Sequence, residues 1–125
     1  MMSVMQSRDT RTFIAGEDLS SAQFKFVTLE SDGQVDLADS AGENAIGVCI
    51  VGGNTGAAVT VVISGSCMVE AGGTITAGAA VQTGADGTAL AAAAGDVVLG
   101  YAREAAVDGQ IIEIELIQGG NVVPA

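Results

Sequence analysis

The sequence predicts an all-β fold, a small barrel or sandwich, on two observations. From Phe24 onward short apolar, β-favouring runs alternate with Gly, Asp and Asn, which is the spacing of strands and turns and not of βαβ units. The chain also matches itself at an offset of 53–54 residues, so one strand-rich unit occurs twice.

The elements follow in order. Residues 1–22 are polar, carry Arg8 and Arg11 and show no sustained period, and they read as an extended N-terminal arm. Strands are predicted at 25–29, 34–37, 45–51, 58–64, 67–70, 79–83, 97–103 and 110–117. Asp32-Gly33 and Asp86-Gly87 are two-residue turn signals of the kind that close hairpins. The run AVTVVIS at 58–64 is apolar on both faces apart from Thr60, which suits a central strand or one covered by a neighbouring subunit. TALAAAA at 88–94 has the highest local helix propensity in the chain, but Gly95 follows it and strand signals flank it, so a small-residue strand or loop is favoured over a short helix. At 110–117, Ile112, Ile114 and Leu116 fall on one face and Glu113 and Glu115 on the other, the pattern of a half-buried strand. Val59, Val61, Ile63, Ile112 and Ile114 are the predicted core.

The repeat sets Asp32-Gly33 against Asp86-Gly87, Gly42-Glu43 and Ile46-Gly47 against Gly95-Asp96 and Leu99-Gly100, and Gly56, Val59, Val61 and Ile63 against Gly109, Ile112, Ile114 and Leu116. A unit that cannot close its own sheet is completed by its copy. The predicted organisation is an arm over 1–22, a barrel or sandwich over 23–118 with repeats at about 24–65 and 78–118, and a tail over 119–125.

Composition narrows the function. Hydrophobic residues make up 49% of the 125, yet 21 of them are alanine and the chain has no Trp. So small a store of large side chains points to close backbone packing or to partner subunits, and hence to an oligomer. A net charge of −11 opposes nucleic acid and anionic membranes alike. With no histidine, the Ser-His-Asp, Cys-His and His-metal sites are excluded. Cys49 and Cys67 form no CxxC pair and lie in apolar segments, where a thiol packs as a small hydrophobe. No apolar run approaches a membrane span of about 18 residues, and MMSVMQSRDTRTF lacks the apolar core of a signal peptide, so a soluble protein made in a cytoplasm is expected.

The glycine-rich stretches GGNTGAA (52–58) and AGGTITAGAA (71–80) are not phosphate loops, because Lys25 is the only lysine and lies far from both. Glu113 and Glu115 point the same way, but a glycosidase pair would also need aromatic platforms, which are scarce, so structural carboxylates are the expectation. No calcium-loop motif occurs. The Arg8/Arg11 segment is opposite in sign to the acidic body and reads either as a dock for an acidic partner surface or as a solvated tail.

The residues also carry a family resemblance. Ile46-Gly47-Val48, the run from Val59 to Gly65, Ala71-Gly72-Gly73, Gly78-Ala79, Asp86-Gly87, Gly95-Asp96 and Leu99-Gly100, in that order over roughly 13–117, resemble the small capsid decoration or cement proteins of tailed bacteriophages, a group often labelled RecA/RadA-like recombinases. The resemblance implies a β-rich virion protein, made in the host bacterial cytoplasm. It would bind the outside of the expanded icosahedral head, commonly as a homotrimer at three-fold and quasi-three-fold positions, and clamp neighbouring major capsid proteins. It implies no catalytic residue, no cofactor and no metal, and the recombinase label does not fit a chain without a Walker lysine. On this reading the arm orders on binding, with Arg8, Arg11 and Phe13 against capsid protein. The competing readings are a β-module of the phage tail or fibre and, third, a small hydrolase built on paired carboxylates.

Overall fold

The computed structural model describes residues 7–117. The C-terminal tail expected at 119–125 lies outside the described residues. Nine strands form one antiparallel sheet, and no helix occurs among the described residues. They are β1 (Ser7–Ile14), β2 (Lys25–Leu29), β3 (Val35–Leu37), β4 (Gly47–Val51), β5 (Ala58–Glu70), β6 (Ala80–Thr83), β7 (Ala89–Ala91), β8 (Gly100–Ala102) and β9 (Ile111–Leu116).

The pairings close two rings that share β5. In the first, β1 pairs with the first half of β5, β5 with β4, β4 with β2 and β2 with β3; a bridge from Val35 to Ala15, just past β1, closes it. In the second, the latter half of β5 pairs with β9, β9 with β8, β8 with β6 and β6 with β7; a bridge from Ala89 to Ala71, just past β5, closes it. The fold is thus a small all-β barrel built by using one connectivity twice. Registers correspond as well: Val48↔Val62 and Cys49↔Val61 in the first ring match Tyr101↔Glu115 and Ala102↔Ile114 in the second.

Two departures from the sequence reading have physical causes. Ser7–Ile14, read as part of an extended arm, is a sheet strand whose ladder partner is the apolar start of β5. Its Thr10, Thr12, Phe13 and Ile14 favour extended backbone, and pairing supplies the hydrogen bonds that an isolated arm would take from water. The runs 58–64 and 67–70 are one continuous strand, β5. Ser64-Gly65-Ser66 looks like a turn, but Gly65, at φ +86°, pairs with Ser7 of β1 and with Leu116 of β9. That bend carries one strand from the first ring into the second. Residues 88–94 form the short strand β7 followed by a turn closed by Asp96 N–H to Ala93 O at 3.1 Å, and not a helix. Both hairpin turns are present, with Gly33 and Gly87 in the left-handed region at φ +83° and +82°.

Each ring has its own core. The first holds Leu19, Val27, Val35, Cys49, Val59 and Val61, with Phe13 and Ile63 packed at its margin. The second holds Val69, Ile75, Val81, Ala102, Ile112 and Ile114, and it extends to Phe26, Val48 and Val62 of the first half. Phe26, Val48 and Val62 lie in register across β2, β4 and β5, so the outer face of the first ring is buried against the second half. The predicted core residues are therefore buried, except that Ile63 is only partly so.

Candidate interaction surface

Cys49 and Cys67 are free and buried, one in each core. Burial raises both thiol pKa values, that of Cys67 to about 12 with Glu115 and Glu113 adding to the effect. Thiolate chemistry is closed to them at neutral pH.

Glu113 and Glu115 share a side of β9, as alternation along a strand dictates, and Arg103 bridges the two. Its guanidinium Nη1 lies 3.0 Å from Glu113 Oε2 and 3.3 Å from Glu115 Oε1. The Glu113 side chain is 8% exposed and depends on that cation, whereas Glu115 is open to water. The Glu113 amide donates to Glu104 Oε2 at 3.1 Å. A pair held by one arginine is a structural clamp.

A second acidic group surrounds the β2–β3 hairpin. Burial, then Glu17, Glu30, Asp32 and Asp39, raises the Asp36 pKa, and its Oδ1 is buried without a hydrogen-bond donor. A Cβ at Gly16 would overlap that oxygen, so the glycine makes the space. Glu17 is committed elsewhere, since its Oε2 accepts the Leu37 amide at 2.7 Å. No group of three or more metal-ligating side chains occurs among the described residues.

Arg8 lies on the β1 backbone at an irregularity in register with β5, and its side chain is outside the described residues. Arg11 is 60% exposed and pairs with Asp9, Nη2 to Oδ2 at 3.0 Å. Hydrogen bonding to Asp9 raises the arginine pKa and lowers that of the carboxylate. Phe13 shares the Arg11 face of β1 but packs against the first core. The three residues thus lie on one strand, with Arg11 exposed and Phe13 turned to the core.

Sequence reasoning missed two exposed features. An open cleft of about 450 Å³ lies between the end of β2 and the loop before β4, lined by residues 28–30 and 43–46, with Leu29 half exposed at its rim. On the opposite half Tyr101 stands out of β8, flanked in register by Ala80 and Glu115. The available signal was the repeat itself, because Leu29 and Tyr101 are large where their counterparts are Thr83 and Val48.

The described residues thus combine a closed all-β body, carboxylates paired on one arginine, and exposed apolar residues bordered by acids. The chain matches the phage cement protein family over residues 5–116, and it belongs to that family, which makes it a phage structural protein. No curated protein sequence matches it. Among solved structures its fold resembles that of the head fiber gp8.5 N base in bacteriophage phi29, with a TM-score of 0.69 and 22% identity over 87% of this chain and 93% of that one.

Proposed function

We propose that the protein decorates the outside of the expanded icosahedral phage head and stabilises it by clamping neighbouring major capsid proteins, as a homotrimer at three-fold and quasi-three-fold positions. The family match over residues 5–116 carries this reading. The mechanism is linkage: a protein that binds only the expanded lattice adds its binding free energy to that state, about 2.7 kcal/mol per site at a free concentration 100 times Kd. Many sites on one shell multiply the effect. No chemical step, cofactor or metal enters the reading, and the paired carboxylates serve the fold.

Arg8, Arg11 and Phe13 on β1 are proposed to contact capsid protein, the two arginines at acidic surface, with Phe13 also packed against the first core. Heads assembled with and without the protein test the stabilising role: decorated heads should retain DNA to a higher temperature, and identical release curves would refute it.

A second reading is a β-module at the base of a head fibre, favoured by the likeness to the phi29 head fiber base. Labelled protein seen at isolated points rather than over the whole shell would support it.

A further inference from the structure

The contact between the two halves of the chain runs in one direction. In the first half, the Gly42 amide donates to Thr83 O at 2.9 Å, its carbonyl accepts the Val97 amide at 3.0 Å, and its Cα faces the Asp96 carboxylate so closely that a Cβ would overlap it. In return the second half places Gly87 O 2.8 Å from the Phe26 amide, over Leu37 and Lys25.

The repeat gives each of these residues a counterpart, and the counterparts are not in contact. Gly95 corresponds to Gly42 and Gly33 to Gly87. Both keep the left-handed backbone, at φ +84° and +83°, yet no heavy atom lies within 4 Å of where a Cβ would stand. The surfaces that would receive them are open too. Leu29 is 51% exposed where its counterpart Thr83 is fully buried, and the cleft at 28–30 and 43–46 corresponds to the filled ground at 82–84 and 96–99. Phe26, Val48 and Val62 are buried, while of their counterparts Tyr101 and Glu115 are exposed, Tyr101 by 44%, and Ala80 is partly so.

A two-fold relation between the halves would have used both sets of surfaces at once. A head-to-tail relation uses one set and leaves a free end of each kind, and such a contact, repeated, closes a ring or extends as a filament. We infer that copies of this chain associate by continuing the contact between their own halves, the Gly95 loop and Tyr101 face of one copy seating on the cleft and Gly33 turn of the next. The occupant is a second copy because each free surface corresponds, residue by residue, to one already filled within the chain. The inference rests on the trimer proposed above for copy number only; at three copies the assembly places six barrels around one axis.

Cross-linking combined with the mass in solution tests it. A Cβ at Gly87 would lie 3.1 Å from that of Lys25, a few tenths of an ångström inside the roughly 3.5–4.5 Å spacing of a disulfide, which a small shift of the turn would supply. The corresponding pair across copies is Gly33 and Ala79. Gly33→Cys/Ala79→Cys should oxidise to a ladder of covalent oligomers that neither single variant gives, with Cys49 and Cys67 buried and unreactive. Tyr101→Glu, at a surface position, should shift the native mass to that of one chain while leaving the fold intact. A trimer without cross-links would overturn the interface and leave the trimer standing. Cross-linked oligomers of another size would uphold the interface and overturn the trimer. A monomeric wild-type protein would overturn both.

Discussion

Gly47 and Gly100 occupy the same place in the two halves, each beneath a backbone carbonyl of the neighbouring strand. A Cβ on Gly47 would overlap Val62 O, and one on Gly100 would overlap Glu115 O. Both carbonyls belong to paired strands, so neither can swing aside as a flexible side chain could.

Gly47→Ala and Gly100→Ala should each cost about 2–3 kcal/mol, the upper range for overpacking. Gly33→Ala, with open space around it, should cost only about 1–2 kcal/mol for its left-handed backbone. Urea titration of the three variants checks the order; equal losses at all three positions would refute the steric argument.

Asp36 makes stability depend on pH in a defined direction. Its raised folded pKa means that its contribution is complete below the ordinary carboxylate range and is lost as pH rises through the folded value. Asp36→Asn should therefore raise the urea midpoint at about pH 7 and leave it nearly unchanged at about pH 3, below the ordinary value.

Asp86 acts in the opposite sense. The Thr88 hydroxyl, ahead of the Thr88 amide, lowers its pKa, and together they fix the turn that presents Gly87 to the first half. A lowered pKa stabilises above the ordinary carboxylate range, and the effect is lost as pH falls through the folded value. Asp86→Ala should cost about 1 kcal/mol near neutrality, limited by exposure of the carboxylate, and less in acid.

Arg103→Leu leaves Glu113 buried without its cation and should cost about 2–3 kcal/mol, below the range for fully buried pairs because Arg103 is partly exposed. Adding Glu113→Gln should recover most of the loss. Glu115→Gln alone should cost under about 1 kcal/mol, as expected for an exposed ion pair.

Much of the fold was legible where side-chain alternation met turn residues. The strand at 25–29 and both Asp-Gly hairpins follow directly from such patterns. β1 was hidden because Arg8, Asp9, Thr10, Arg11 and Thr12 are all polar, and their strand conformation comes from a partner some fifty positions away. β5 was cut in two because Ser64-Gly65-Ser66 carries turn chemistry, which tertiary pairing on both edges overrides. The surface was harder still: an exposed Leu29 or Tyr101 is unremarkable alone and gains meaning only beside its buried counterpart in the other half. Likewise, nothing local shows that Phe13 packs against the first core.

Because β1 is a strand of the sheet, a truncation does not isolate the N-terminal contact. Removing residues 1–13 would open the first ring, so weaker capsid binding would then reflect lost fold as much as lost contact. Arg8→Ala/Arg11→Ala keeps the strand and removes its two positive charges, along with the exposed Arg11–Asp9 pair. It should leave the melting temperature within a few degrees, since exposed pairs contribute little, and lower the affinity for heads about tenfold, or 1.4 kcal/mol.

Co-sedimentation of purified protein with undecorated expanded heads and with unexpanded proheads tests the central claim most directly. The account predicts saturable binding to expanded heads alone; binding to neither, or equal binding to both, would contradict it.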